Sequence, residues 1–156
     1  MASNVGSPDL DETRLAVWRG FLEAHAIVTR KLERDLMAQV GIPLTWYDVL
    51  VHLSESPQES LRHQVLADSL LLSRSGVTRL VDRMAQAGLV CREAAPEDRR
   101  VSYVVLAPEG RATLDRAGPG HIQSVVEHFA RHLKDSETAA LRSFFTRLLE
   151  EDPAAR

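Results

Sequence analysis

The sequence predicts a mainly α-helical fold interrupted once by a β-hairpin. Three observations lead there. A helical pattern at steps of three and four recurs along most of the chain, as in Leu15, Trp18, Leu22, His25, Thr29, Leu32 and Leu36. The period changes after Gly88, where the β-branched and aromatic run Val101–Leu106 reads as strand. Helix start and stop signals separate the segments: Gly41-Ile42-Pro43, Ser73, Gly88 and Pro108.

The elements follow in order. Residues 1–10 are polar, carry Gly and Pro, and read as a disordered tail. A first helix covers about 11–40, long for a globular helix, and a helix of that length more often packs against another chain. After Gly41-Ile42-Pro43, Thr45 is placed to cap a second helix with Trp46, Val49, Leu50 and Leu53 facing inward. Ser54–Ser60 reads as a turn, and a short third helix covers about Arg62–Leu70. Ser73 caps a fourth helix, roughly Arg74–Ala87, whose apolar face is Val77, Leu80, Val81 and Met84 and whose stop is Gly88. Leu89-Val90-Cys91 starts one strand, Pro96-Glu97-Asp98 is the turn, and Val101–Leu106 is the second strand. Pro108 opens a fifth helix, which Gly118-Pro119-Gly120 should break or kink. A helical pattern resumes through Ile122, Val125, Val126, Phe129 and Leu133, and Asp135-Ser136 begins the last helix. The middle is thus a helix-turn-helix followed by a two-stranded wing, with long apolar helices on both sides.

Composition bounds the function. The chain has 156 residues, 44% hydrophobic and 26% charged, as in a soluble globular protein. No apolar stretch approaches the ~20 residues of a membrane span, and the N-terminus lacks a signal-peptide pattern. A single cysteine, Cys91, allows no internal disulfide framework, so cytoplasmic residence and no membrane partner are the expectation. The net charge is -3, yet Ser73–Arg100 holds six Arg against four acids. A basic segment in an acidic scaffold is what a targeted polyanion contact looks like.

That segment contains the candidate site. In Ser73-Arg74-Ser75-Gly76-Val77-Thr78-Arg79, the N-terminal turns of the fourth helix expose Ser73, Arg74, Ser75, Thr78 and Arg79, with Arg83 one turn on. In a helix-turn-helix, this end of the second helix enters the DNA major groove. Arginine grips guanine O6 and N7 in bidentate fashion, while hydroxyls reach bases or phosphates. The bland alternative is a polar outer face with no ligand. Arg99 and Arg100 sit at the hairpin tip, where an arginine can reach a minor groove, and Asp98 can hold the Arg100 guanidinium in place. The alternative there is a solvated turn with a local ion pair.

These pieces together resemble the MarR/SlyA family of winged helix-turn-helix transcription regulators. The matching residues are Leu66-Ala67, Ser73–Met84, Gly88-Leu89-Val90, Arg92, the Asp98-x-Arg100 wing and Leu106-x-Pro108-x-Gly110, in that order. The resemblance implies a winged helix-turn-helix DNA-binding lobe over 41–109 and a helical dimerisation lobe from 11–40 and 110–152. It implies a homodimer on an inverted-repeat operator of double-stranded DNA, with a recognition helix in each major groove and Arg100 in the flanking minor groove. It also implies repression relieved by a small effector, anionic or aromatic, lodged between the two lobes. Trp18, His25, Trp46 and Tyr47 are the candidate lining, although filling the core is the bland reading for Trp18. Where the family often has Thr, this chain has Ala107, which removes a local helix cap.

Other readings are weaker. His128 and His132 are four apart and His121 lies seven before His128, a spacing that can place metal ligands on one helix face. No cysteine or carboxylate cluster accompanies them, so the expectation is no metal and no cofactor, with the histidines titrating at the surface or a dimer interface. Cys91 reads as a small buried side chain rather than a redox sensor. No phosphate loop, dinucleotide fingerprint or nucleophile elbow is present, which excludes the enzyme classes those motifs serve. A winged helix that binds protein instead of DNA is the remaining alternative. The exposed Arg74, Arg79 and Arg100 argue against it.

Overall fold

The computed structural model describes residues 10–70, 72–95 and 101–150. Helix α1 (Glu12–Val40) is 29 residues long, or about 43 Å at the usual rise. Asp11 caps it, accepting the Arg14 N–H at 2.7 Å, and Gly41 closes it at φ +71. Only Leu36 of this helix is buried. Helix α2 (Leu44–Glu55) starts one residue before the cap expected at Thr45. Thr45 lies inside the first turn and makes no cap. The Glu33 carboxylate of α1 accepts the Leu44 N–H instead, at 2.5 Å. An acid brought in by packing has replaced a local cap.

The stretch read as a turn carries structure. After a 3₁₀ turn at Pro57–Glu59, strand β1 (Ser60–Arg62) leads into α3 (His63–Ser69). Gln58 and Glu59 both sit in the left-handed region, and an ion pair from Glu59 to Arg111 ties this loop to a later helix. Helix α4 (Arg74–Gln86) follows. Its C-terminus is a Schellman motif, with Leu89 N–H donating to the Met84 carbonyl and Gly88 N–H to that of Ala85, both at 3.0 Å. Gly88 takes φ +74, as the motif requires.

Strands β2 (Val90–Ala94) and β3 (Ser102–Leu106) pair antiparallel, with Val90 opposite Leu106 and Arg92 opposite Val104. The sheet has three strands rather than the expected two, in the order β1-β3-β2. At three residues β1 is too short to show a period, and its partner lies some forty residues away. The turn at Pro96-Glu97-Asp98 lies outside the described residues, together with Asp98, Arg99 and Arg100. The tail at 1–9 and the end beyond 150 lie outside them too.

Helix α5 (Pro108–His128) runs unbroken through Gly118-Pro119-Gly120. The expected break is absent, although Pro119 cannot donate to the helix ladder. The flanking glycines help explain this. Gly118 offers no Cβ to clash with the proline ring, and Gly120 leaves room for the Gln39 side chain of α1. The helix stops at His128, Ala130–His132 forms a 3₁₀ turn, and α6 spans Asp135–Glu150.

The core joins Leu36 of α1 to Val49, Leu50 and Leu53 of α2, Leu66 of α3, Val77, Val81 and Met84 of α4, and Val104 of β3, all at 1% exposure or less. Outside it lies a broad apolar surface. Trp18, Phe21 and Leu22 on α1, Ile122, Val126 and Phe129 on α5, and Phe144, Leu148 and Leu149 on α6 are all exposed. Helix α6 buries no residue and meets α1 through the Phe21–Phe145 ring contact, at 6.2 Å. No helix among the described residues is long and apolar enough to cross a membrane.

Candidate nucleic-acid interface

Helix α4 is held rigidly on one side and left open on the other. Val77, Leu80, Val81 and Met84 anchor it. The Ser73 hydroxyl accepts the Gly76 N–H at 3.1 Å, so Ser73 serves as the N-cap. Ser75 Oγ lies 3.3 Å from Ser73 Oγ. The Thr78 hydroxyl donates to the Arg74 carbonyl at 2.9 Å and lies 3.5 Å from His63 Nε2. Ser73 and Thr78 thus shape the helix end as well as facing outward. Arg74, Ser75, Arg79 and Arg83 are exposed. Among the described residues, no hydrogen bond or ion pair engages the guanidinium of Arg74, Arg79 or Arg83. Three unneutralised guanidiniums on the outer face of a capped helix form a surface for a polyanion.

Arg92, which the sequence reading did not place in the site, connects this helix to the wing. From β2 it donates to the Thr78 carbonyl at 3.1 Å and pairs with the Asp82 carboxylate at 2.9 Å. His63 was also missed. It opens α3 beside Thr78, and burial followed by Arg92 lowers its pKa, with Asp82 opposing and Arg74 adding a little. Burial and the neighbouring Arg92 thus favour the neutral imidazole. On the sheet, Arg62 donates to the Tyr103 hydroxyl at 3.1 Å and lies 5.9 Å from that ring's centre. No short-range sequence signal marks these three residues, because each depends on a partner from another element.

The four residues expected to line an effector pocket fall into two groups. Trp18 and His25 lie on the exposed part of α1, each against Phe21. At 53% exposure Trp18 does not fill this chain's core. Tyr47 is buried and packs its ring, tilted by 40°, against His121 of α5 at 4.4 Å, while Trp46 is half-buried at the edge of the core. Burial, aided by the Asp48 and Glu55 charges, raises the Tyr47 pKa.

The histidine spacing dissolves in three dimensions. Because α5 ends at His128, His132 falls in the 3₁₀ turn and not on the same helix face. His128 Nε2 instead meets the Asp35 carboxylate of α1 at 2.7 Å. That bond, with Arg34 next, lowers the Asp35 pKa to about 2. Among the described residues, no three His, Cys, Asp or Glu side chains are grouped to hold a metal. Cys91, expected to be buried, is exposed. Strand alternation explains the correction, since Val90 points to the core and its neighbour points away.

Comparison with known proteins fits this geometry. A model of the MarR family matches residues 40–101. The transcriptional repressor YetL of Bacillus subtilis is 30% identical over 105 residues, which span 65% of this chain and 63% of YetL. Two solved structures cover nearly everything. Sco3205 of Streptomyces coelicolor, a MarR family transcriptional regulator in complex with DNA, superposes with a TM-score of 0.86 at 31% identity, covering 95% of this chain and 92% of that one. AbsC, a MarR family transcriptional regulator of the same organism, gives 0.84 at 32% identity, covering 93% and 97%. With its capped, arginine-bearing second helix beside a strand-borne wing, the chain belongs to the MarR family of winged-helix, DNA-binding transcription regulators, not to a class of enzymes.

Proposed function

We propose that this protein is a homodimeric repressor that binds an inverted-repeat operator and releases it on binding a small-molecule effector. The observation carrying the DNA contact is the open face of α4, where Arg74, Ser75, Arg79 and Arg83 stand exposed on a helix whose other face is locked into the core. In the dimer, each α4 enters a major groove, and Arg99 and Arg100 of each wing reach the flanking minor groove, steadied by Asp98. The apolar surface of α1, α5 and α6 supports the homodimer, because a patch of that extent on a lone chain favours association. Two-fold symmetry then sets half-site centres about one helical turn apart, ~34–36 Å. Sco3205, a MarR family regulator in complex with DNA, supports DNA as the partner here.

The test is fluorescence anisotropy with DNA from just upstream of the protein's own gene, against a scrambled duplex, over a salt series. Tight, selective binding with a steep fall in affinity as salt rises is expected. Binding that is weak, unselective and flat in salt would refute the proposal and favour a winged helix that reads protein. Light scattering at micromolar concentration checks the dimer, and a monomer there would remove the inverted-repeat geometry.

A further inference from the structure

A groove of about 660 Å³ separates α2 from α5, lined among others by Tyr47, Asp48 and Glu55 from α2 and Asp115, Pro119 and His121 from α5. Among the described residues, three carboxylates border it and no lysine or arginine does. The walls between them are aromatic and apolar. The Tyr47 and His121 rings meet at 4.4 Å between centroids, tilted by 40°, and among the described residues the buried Nδ1 of His121 has no hydrogen-bond partner. A buried polar atom without a partner is uncommon in folded proteins, and it leaves the His121 ring held by its contact with Tyr47. We propose that this groove binds an amphipathic organic cation, with an ammonium group among Asp48, Glu55 and Asp115 and an apolar or aromatic body against the Tyr47–His121 pair.

The proposal rests on the effector reading above and names the chemistry of its ligand. It departs from the anion expected of the family resemblance. A carboxylate ligand would meet three like charges with no lysine or arginine in the described lining to offset them, a repulsion strengthened where water is partly excluded. A cation finds the reverse. Burial already raises the Asp48 pKa, with Glu33 adding to it and His52 opposing, so a cation entering the groove relieves an existing penalty. A bare divalent metal does not fit, since no three donor side chains among the described residues are grouped to hold one. The Tyr47 and His121 rings instead suit an organic body, with π-faces that also attract an ammonium group.

Isothermal titration of the full chain with three matched probes tests this at fixed ionic strength and neutral pH. These are 2-phenylethylamine, phenylacetate and 2-phenylethanol, which are cationic, anionic and neutral. The amine is expected to bind saturably and at least tenfold more tightly than phenylacetate. In an Asp48→Asn/Asp115→Asn variant, amine affinity is expected to fall at least tenfold while that of 2-phenylethanol stays unchanged. Asp115→Asn alone, on an exposed helix position, serves if the double variant fails to fold by circular dichroism. No amine binding, tighter binding of phenylacetate, or amine binding indifferent to the amides would each overturn the proposal. Anisotropy with the operator, salt-matched, runs in parallel. Loss of operator binding in ligand-free protein would sink the regulatory reading while leaving the titration to decide the groove.

Discussion

Gly110→Ala is expected to destabilise the protein, although alanine is the better helix former. Gly110 sits in the first turn of α5, where that helix crosses the Leu89 carbonyl. A Cβ added there would lie 2.0 Å from the Leu89 oxygen, 2.9 Å from Leu106 Cδ1 and 3.0 Å from the Leu89 carbonyl carbon. Real carbons do not approach an oxygen within 3.0 Å, so the helix would retreat by about 1 Å. The retreat also stretches the bond from Ala107 N–H to the same Leu89 oxygen, now 3.1 Å. Losing that bond costs about 1 kcal/mol, and forced overpacking adds about 1–3 kcal/mol. Against this stands a helix-propensity gain of at most ~1 kcal/mol. The net loss is about 1–3 kcal/mol, a fall in Tm of about 2–4 °C per kcal/mol for a chain of this size. Gly120→Ala provides the contrast. Its Cβ would meet only the end of the Gln39 side chain, 2.1 Å from Oε1, which can rotate away. Thermal unfolding at one fixed protein concentration compares the two. A Gly110→Ala protein as stable as the wild type, or no less stable than Gly120→Ala, would show that α5 does not seat on Leu89 as described.

Further outcomes are expected. Arg92→Ala should weaken operator binding by anisotropy while changing stability by less than about 1 kcal/mol, because its ion pair is half-exposed. Asp82→Ala should do much the same, and the double variant should add little if the pair acts as a unit. Arg79→Ala should cost about 1–3 kcal/mol of operator affinity and relax base preference, whereas a loss uniform across sequences would mark a phosphate contact. Asp35 has its pKa lowered to about 2 in the fold, so its contribution is present above its unfolded value near 4 and disappears as pH falls toward 2. Acid titration of unfolding free energy should therefore show a loss of at most about 2 kcal/mol across that window, absent in Asp35→Asn.

What the sequence made legible were features carried by neighbours along the chain. The Ser73 cap, the Gly88 stop, the four-residue apolar face of α4 and the alternation of β3 each need only a few consecutive residues, and each stands where the pattern placed it. The misses share the opposite property. Glu33 capping α2, β1 pairing with β3, Arg92 bridging to α4 and His128 meeting Asp35 all join residues at least eleven positions apart. Gly118-Pro119-Gly120 misled for a related reason. Local chemistry argues for a break, but packing against α1 sustains the helix, and the glycines that look like breakers provide the room it needs.

The same long-range contacts bear on how an event at the groove could be felt at α4. From α4 the chain of fixed contacts runs through Arg92 to β2, along the β2–β3 ladder, and from Leu89 into the first turn of α5 through Ala107 and Gly110. The ion pair between Glu59 and Arg111 secures the loop before β1 to that same turn. The wing, α4 and the start of α5 are thereby tied into one body. The open groove lies one to three turns further along α5, at Leu114 to Ile122. It includes Pro119, whose missing N–H deprives α5 of a ladder bond at that level. Bodies that are bonded at one end and separated by open space at the other yield most easily where the space is. In the proposed dimer, the far half of α5 would pack on the partner, so a ligand filling the groove would alter the angle between the dimer helices and the DNA-facing body. On the proposed inverted-repeat operator the two half-sites would have a fixed separation, and a small change in that angle, applied twice about the dimer axis, would be enough to spoil the fit.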